Sequence, residues 1–207
     1  LPIGGVLATD NAVIPYGVGV DIGCRMSLSV YDIPASYFKG RSHQLKQFLL
    51  DNTQFGMTGA HKKRHDHEIF NHDAFSEVPL VKRLKDKAFK QLGSSGRGNH
   101  FVEFGIVNIT DEHNEFKLPV GEYLGLLSLS GSRGLGANIA KHYTYLASKQ
   151  CPLPKQVQHL AWLDLNTHDG QEYWMAMNLA GDYAKACHDD IHYRISKALS
   201  KKPIATV

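Results

Sequence analysis

The sequence predicts a fold that combines β-strands with α-helices and carries one long helix near its C-terminal end. Apolar runs of strand length alternate with turn-forming residues over 1–30, and similar runs recur at 99–109 and 123–129. Apolar residues at helical spacing mark 80–92, and a longer stripe of this kind begins at Gly170. A chain of 207 residues can bury the core that such a fold needs.

The first predicted elements are short strands. The runs 3–7 and 12–16 lie on either side of the turn-forming residues 9–11, which predicts a β-hairpin. A glycine-rich bend at 17–25 follows, and another strand is predicted at 26–31. The bend therefore lies between two strands that can hold its side chains in place.

Helices are predicted after these strands. Ser36 is a candidate N-cap for the first helix, and 80–92 reads as an amphipathic surface helix. A third helix is predicted at 137–148, after a glycine loop, and the segment 151–169 reads as irregular.

The last predicted helix carries a stripe of core-facing residues. Its members lie three or four residues apart and are Tyr173, Met177, Ala180, Ala184, Cys187, Ile191, Ile195 and Ala198. Cys187 belongs to this stripe, so we interpret it as a packed residue. His188 and His192 lie four residues apart with no evident partner, and we interpret them as surface residues.

Charge and cysteine content narrow the functional class. The net charge of +3 gives only a weak preference for anionic partners. The 3 cysteines are widely scattered, which argues against a disulfide framework and for a reducing, cytoplasmic environment. No apolar run reaches membrane-spanning length, so we expect no membrane partner. We interpret residues 1–207 as a single domain, truncated at both ends.

The glycine-rich bend carries two potential metal ligands. Asp21 offers a carboxylate and Cys24 a thiol, and the neighbouring glycines make this backbone pliable. A scaffold that fixes ligands while glycine lets other groups approach suits a chemical site. The alternative is a glycine turn with one buried cysteine, because free cysteine is among the most buried residue types.

Two further glycine loops precede polar residues. After the loop at 93–98, a regular strand would place Asn99 and Glu103 on one face and His100 on the other. The loop at 130–136 lies between a buried strand and a helix, a layout in which backbone N–H groups hold an anion.

The second of these loops also offers side-chain donors. Ser130, Ser132 and Arg133 lie within it, and the planar guanidinium of arginine suits phosphate. The alternative is an ordinary helix N-terminus with a surface arginine.

The polar segment 53–78 contains a basic patch formed by Lys62, Lys63 and Arg64. The neighbouring histidines are His61, His65 and His67. Tight metal sites need ligands fixed by structure, so we favour a solvated or phosphate-facing loop over a metal cluster. Contact with an RNA backbone here would make binding sensitive to salt.

Four stretches of the chain resemble the RtcB-type RNA-splicing ligases in order and approximate spacing. They are Gly17-Val-Gly-Val-Asp-Ile-Gly-Cys24, Gly93-Ser-Ser-Gly-Arg-Gly-Asn-His-Phe-Val-Glu103, Ser130-Gly-Ser-Arg-Gly-Leu-Gly136 and Tyr173-Trp-Met-Ala-Met-Asn-Leu-Ala-Gly-Asp-Tyr183. The ordered set is more specific than any one motif. The resemblance covers nearly the whole chain, but only the N-terminal and central part of the family's length.

The resemblance implies an α+β fold with mixed β-sheets, flanking helices and a long C-terminal helix. It also implies a GTP- and manganese-dependent RNA ligase for tRNA splicing or RNA repair. Such an enzyme joins a 3′-phosphate or 2′,3′-cyclic phosphate end to a 5′-hydroxyl end, after a histidine near the family's C-terminus has taken up GMP. The implied partners are tRNA halves or broken RNA ends, and an accessory activator in some members.

The resemblance also implies roles for individual residues. Asp21, Cys24 and His100 match metal ligands, with Cys24 bridging two manganese ions. Asn99 and Glu103 match residues that contact the guanylate. The phosphate-holding loop is matched by Ser130, Ser132 and Arg133.

Three departures from the family pattern affect the expected activity. Leu129 stands where the family has a metal-binding histidine, and leucine cannot ligate, so the second metal position is in doubt. The chain begins after an upstream family motif. It ends before another metal histidine and before the guanylylated histidine. We therefore predict that the chain alone forms no GMP adduct and joins no RNA.

Three alternatives stay open beside the ligase. A degenerate family member would bind RNA ends or phosphate without joining them. A metal-dependent phosphoesterase would use the same pocket to release phosphate. A purely structural domain would have to explain why so many polar residues lie beside glycine loops, although pockets with convergent polar groups are few per protein.

Overall fold

The computed structural model describes residues 6–62 and 66–207 and confirms the α+β fold with its long helix near the C-terminal end. The described strands are β1 (Ala12–Val13), β2 (Arg25–Tyr31), β3 (Phe101–Ile109), β4 (Gly121–Ser130), β5 (Leu163–Asp164) and β6 (Ala205–Thr206). The described α-helices are α1 (Pro15–Val18), α2 (Ser42–Asn52), α3 (Ala74–Glu77), α4 (Pro79–Gln91), α5 (Arg133–Gln150) and α6 (His168–Leu199). Short 3₁₀ turns occupy Ala35–Phe38, Glu68–Asn71 and Gln158–Leu160.

The main sheet has the strand order β3-β4-β2-β6, and each described pairing in it is antiparallel. Leu129 of β4 pairs with Met26 on one side and with Phe101 on the other. Successive side chains alternate between the faces of a strand. The pairing therefore puts these three side chains on one face and their neighbour Ser128 on the opposite face, towards α6.

Helix α6 is the central element of the fold. Its apolar stripe packs against α4 and α5 along its first half and against the sheet along its second half. Tyr173, Leu179 and Tyr183 are fully buried in the first cluster, while Ile191 and Ile195 are fully buried in the second. The apolar residues at helical spacing are therefore buried against two different partners, first the helices α4 and α5 and then the sheet.

The predicted N-terminal hairpin is wrong for its described part. Residues 6–9 form no strand, and β1 pairs instead with β5, far along the chain. Residues 15–18 are helical, with Pro15 at the start of α1, where the missing N–H of proline costs nothing. Residues 3–5 of the first predicted strand lie outside the described residues.

The interpretation of His188 and His192 as surface residues is also wrong. Their exposed fractions are 2% and 5%, and both rings lie between α6 and the sheet. Cys187, in contrast, is packed as predicted and fully buried. The helix predicted at 137–148 begins earlier, at Arg133.

Helix α6 has the length needed to cross a bilayer but lacks the apolarity. Among the described residues, no helix is both long enough and apolar enough to cross a membrane.

Candidate metal and phosphate site

Asp21, Cys24 and His100 meet at one end of the main sheet, just before the first residues of β2 and β3. The Nε2 atom of His100 lies 2.7 Å from Oδ2 of Asp21 and 3.7 Å from Sγ of Cys24. One donor atom from each residue lies within 4.8 Å of the other two. A single cation can therefore contact a carboxylate, an imidazole and a thiol at once.

A tight turn against α6 holds the first two of these residues. The N–H of Cys24 donates to the carbonyl oxygen of Asp21 at 3.0 Å. Gly23 has a φ of +72°, and a Cβ at this position would lie 2.8 Å from Cα of Gly181 in α6. The Arg25 side chain also donates to the carbonyl oxygens of Gly23 and Gly181, each at 3.2 Å. The turn is therefore fixed directly to the long helix.

His100 lies immediately before β3 and not within it, so strand alternation does not apply to it or to Asn99. Asn99 is exposed and lines the same cavity as His100. Glu103 is an exposed residue of β3 that pairs with Leu127 and does not line this cavity. The predicted guanylate contacts Asn99 and Glu103 therefore lie in different surroundings.

The Cys24 thiol is held in its protonated form by its surroundings. Cys24 is an exposed residue, but partial loss of water around its thiol, followed by the nearby charge of Asp21, raises the pKa of Cys24 to about 11. A divalent cation at Sγ would favour the thiolate, because metal binding deprotonates a coordinating thiol. Proton release should therefore accompany metal binding.

The donor set fits a divalent transition metal. Imidazole and carboxylate are suitable ligands for manganese, although thiolate is softer than the oxygen ligands that manganese prefers. The Nδ1 atom of His100 is buried without a hydrogen-bond partner in the described part of the chain. A ligating histidine normally uses this second ring nitrogen to donate a hydrogen bond, so a metal here would leave that position unsupported.

Leu129 is a half-buried residue of β4, placed between Met26 and Phe101 of the neighbouring strands. These two residues follow shortly after Cys24 and directly after His100, respectively. The Leu129 position is therefore beside the cluster, and its side chain supplies no donor atom.

The last residue of β4 and the loop that follows it turn two serine side chains inward. Ser130 and Ser132 are fully buried. The Ser130 hydroxyl makes a long, 3.5 Å hydrogen bond to the carbonyl oxygen of Ser94, and the Ser132 hydroxyl has no partner among the described residues. Neither serine lines the cavity beside the cluster, whereas Arg133 does.

Two hydrogen bonds to neighbouring loops fix the Arg133 side chain in place. Its Nε donates to the Ser94 hydroxyl at 3.0 Å, and its Nη2 donates to the carbonyl oxygen of Gly56 at 2.6 Å. Burial lowers the pKa of this guanidinium, although arginine stays charged near neutral pH. Its Nη1 makes no hydrogen bond to another described residue and so is available to an anion.

The cavity beside the cluster has a volume of about 750 Å³ and a basic wall. Lys87 and Lys90 of α4, together with Arg97 and Arg133, line it, and Asp21 is the only acidic residue among its lining residues in the described chain. No ion pair joins Lys87, Lys90 or Arg97 to another described residue. Uncompensated cations in a concave site favour an anionic ligand.

Sequence reasoning missed the contribution of α4 to this wall. The amphipathic pattern over 80–92 predicts that its polar residues, including Lys87 and Lys90, face only solvent. These two lysines lie three residues apart on one face of α4, and that pairing was the available signal.

The basic patch predicted at 62–64 is only partly described. Lys62 is exposed, whereas Lys63 and Arg64 lie outside the described residues, as does His65. His61 and His67 make hydrogen bonds with the backbone, at Gly93 and Ile69.

A second group of potential ligands lies in the first turn of α6. It consists of His168, Asp169 and Glu172, with one donor atom of each within 4.8 Å of the others. The His168 side chain is 83% exposed. Asp169 and Glu172 are half-buried, and their carboxylates already accept hydrogen bonds from Gln150 and Tyr143. The group is therefore used only as a control in the experiments below.

The chain is similar to known RNA-splicing ligases. The family model described as tRNA-splicing ligase RtcB matches residues 1–78 and 73–205. The tRNA-splicing ligase RtcB of Nanoarchaeum equitans is 28% identical over 235 residues, covering 97% of this chain and 49% of that protein. For the RNA-splicing ligase RtcB of Escherichia coli K12 the identity is 30% over 199 residues, covering 89% and 44%.

A third relative, the tRNA-splicing ligase RtcB of Thermococcus kodakarensis, is 27% identical over 223 residues, covering 89% of this chain and 46% of that protein. The chain therefore spans about half the length of these curated relatives.

Proposed function

Since the chain belongs to the RtcB family of tRNA-splicing ligases, we propose that the protein joins RNA ends with the use of manganese and GTP. The joined ends are a 3′-phosphate or 2′,3′-cyclic phosphate and a 5′-hydroxyl, from tRNA halves or broken RNAs. The observation that carries the proposal is the Asp21–Cys24–His100 cluster at the edge of a basic cavity.

In this proposal, Asp21, Cys24 and His100 hold a divalent metal that neutralises charge on a transferring phosphate. Arg133, Lys87, Lys90 and Arg97 bind the phosphates of the RNA end. Asn99, beside the metal cluster, orients the end or the guanylate. Because phosphoryl transfer needs positioning and charge stabilisation more than covalent chemistry, a rigid basic cavity is the useful scaffold.

We further propose that residues 1–207 on their own bind metal and RNA but form no GMP adduct, because the resemblance matches none of their histidines to the histidine that the family guanylylates. Intact-mass measurement after incubation with GTP and manganese tests this, and a mass increase of one GMP would contradict it. A cytoplasmic location also belongs to the proposal, supported by 3 cysteines that are all free. An accessory activator is a further proposed partner.

Leu129 favours a second candidate function, in which the protein binds RNA ends without joining them. The leucine lies beside the cluster and offers no ligand, so a second metal would lack one of its contacts. Phosphate release from an RNA 3′-phosphate without joining would instead indicate a phosphoesterase.

The RNA part of the proposal is tested by fluorescence anisotropy. A single-stranded RNA with a 3′-phosphate should bind this chain in the presence of manganese, more tightly than the same RNA with a 3′-hydroxyl. Lys87→Ala/Lys90→Ala should weaken binding and reduce the salt slope by about 1.4, since each single-strand phosphate contact contributes about 0.7.

A charge-matched control separates a local contact from a change in net charge. Lys39→Ala/Lys46→Ala removes two exposed lysines that do not line the cavity. The control should bind RNA as the unmodified chain does. Equal weakening by the two double variants would contradict a specific RNA site in this cavity.

A further inference from the structure

A chain of buried side-chain hydrogen bonds runs between α6 and the sheet. His188 Nε2 lies 3.3 Å from the carbonyl oxygen of Ser130, and its Nδ1 lies 2.6 Å from the Ser128 hydroxyl. The same hydroxyl is 2.7 Å from His192 Nε2, and His192 Nδ1 is 2.7 Å from the Ser29 hydroxyl. Ser29 in turn lies 3.1 Å from the hydroxyl of Thr206.

The end at Ser130 sets the direction of every bond in this chain. A carbonyl oxygen only accepts, so Nε2 of His188 must carry a proton. In the neutral ring Nδ1 is then an acceptor, and the Ser128 hydroxyl donates to it. Because that hydroxyl has one proton, it must accept from Nε2 of His192, whose Nδ1 accepts from Ser29.

Both rings are expected to be neutral in this environment. Burial lowers the pKa of His188, and burial, together with the repulsion that would arise if both rings were protonated, lowers the pKa of His192 to about 4. The tautomer with the proton on Nε2 therefore gives each of the four ring nitrogens a hydrogen-bond partner.

The Ser130 carbonyl connects this chain to the metal cluster. Ser130 is followed by Gly131, and a Cβ on Gly131 would overlap the carboxylate of Asp21, so the backbone here lies directly against that ligand. Ser130 also pairs with Arg25, the residue that follows Cys24. A shift of the Ser130 peptide would therefore move the surroundings of two of the three proposed ligands, Asp21 and Cys24.

We propose that His188 is a positioning residue, which holds the Ser130 carbonyl through Nε2–H and so keeps Asp21 and Cys24 in place for a divalent metal. The effect on metal affinity rests on the proposed function. The hydrogen-bond chain itself, and the two tautomers, do not depend on it.

Nitrogen NMR of the histidine rings tests the hydrogen-bond chain in the unmodified protein. Both His188 and His192 should show the Nε2–H tautomer at neutral pH, with signals assigned from single variants. An Nδ1–H tautomer at either residue would overturn the proposal, whether or not the protein binds metal.

Two substitutions at residue 188 test the positioning role. Glutamine places an amide near the position of Nε2 and can still donate to Ser130, whereas asparagine places its amide near Nδ1 and cannot reach it. His188→Asn should raise the manganese dissociation constant about tenfold, the lower end of what outer-sphere changes cost. His188→Gln should stay within about twofold, because the donor is retained. His113→Asn, a change at a 94% exposed side chain, is the control.

The outcomes separate this inference from the metal proposal. Equal affinities in the asparagine and glutamine variants would overturn the positioning role. If the unmodified chain bound no manganese, the metal proposal would fail, and the ring signals of His100 would replace affinity as the readout. They should then shift in His188→Asn but not in His188→Gln, and an equal shift in both would overturn the positioning role.

Discussion

The buried His192 should make the stability of this protein depend on pH. Its folded-state pKa is lowered to about 4, from a usual value of 6.5, by burial first and then by the charge of His188. The charged form is therefore disfavoured in the folded state, and the unfolded chain binds more protons between these two values. Stability must fall as the pH falls through this window and level off below it.

The size of the effect follows from the two pKa values. Proton linkage gives a loss of about 2 kcal/mol between pH 7 and pH 5, and of about 3 kcal/mol by pH 4. The opposing contribution of Asp189, which raises the pKa, is already included in the lowered value. His188, whose pKa is also lowered, adds to the loss in the same direction.

Urea unfolding at several pH values measures this quantity. His192→Gln removes the titrating ring, so the variant should lose about 2 kcal/mol less than the unmodified chain between pH 7 and pH 5. His113→Gln, at an exposed position, should follow the unmodified chain. Parallel pH curves for the unmodified chain and His192→Gln would refute the reasoning, whatever the absolute stabilities.

Three further predictions concern the turn, the sheet and the core. Gly23→Ala should cost at least about 1 kcal/mol more than Gly19→Ala, since both have positive φ but only Gly23 abuts α6; equal unfolding free energies would contradict the close contact. Leu129→His should add a second manganese-binding event in calorimetry, and an unchanged titration would mean that this position does not face the cluster. Tyr183→Phe should destabilise the protein by about 1–2 kcal/mol in urea unfolding, because a buried 2.8 Å hydrogen bond to the Ala88 carbonyl is lost; an unchanged midpoint would argue against that bond.

Local patterns in the sequence predicted those elements that can be recognised without knowing which other elements they pack against. The apolar spacing over 80–92 and from Gly170 onward predicted α4 and α6, because one buried face is enough to produce such spacing. The N-terminal hairpin failed for the opposite reason. The strand β1 pairs with β5, and a pairing across most of the chain leaves no local pattern.

The candidate site shows the same contrast between local sequence patterns and contacts between distant residues. The resemblance grouped Asp21, Cys24 and His100, and the structure brings their donor atoms together. The buried pair His188 and His192 was missed, because the hydroxyls that satisfy it lie on β2 and β4. Polar residues on a helix face look solvent-exposed until their distant partners are known.

The central claim is that Asp21, Cys24 and His100 form a metal site, and a calorimetric titration with manganese tests it most directly. The unmodified chain should show one binding event that is lost in both Cys24→Ala and His100→Ala. Asp169→Asn/Glu172→Gln, which removes the two half-buried carboxylates of the other ligand group, should leave the event intact. A binding event that persists in Cys24→Ala and His100→Ala, or that disappears in the control, would contradict the account.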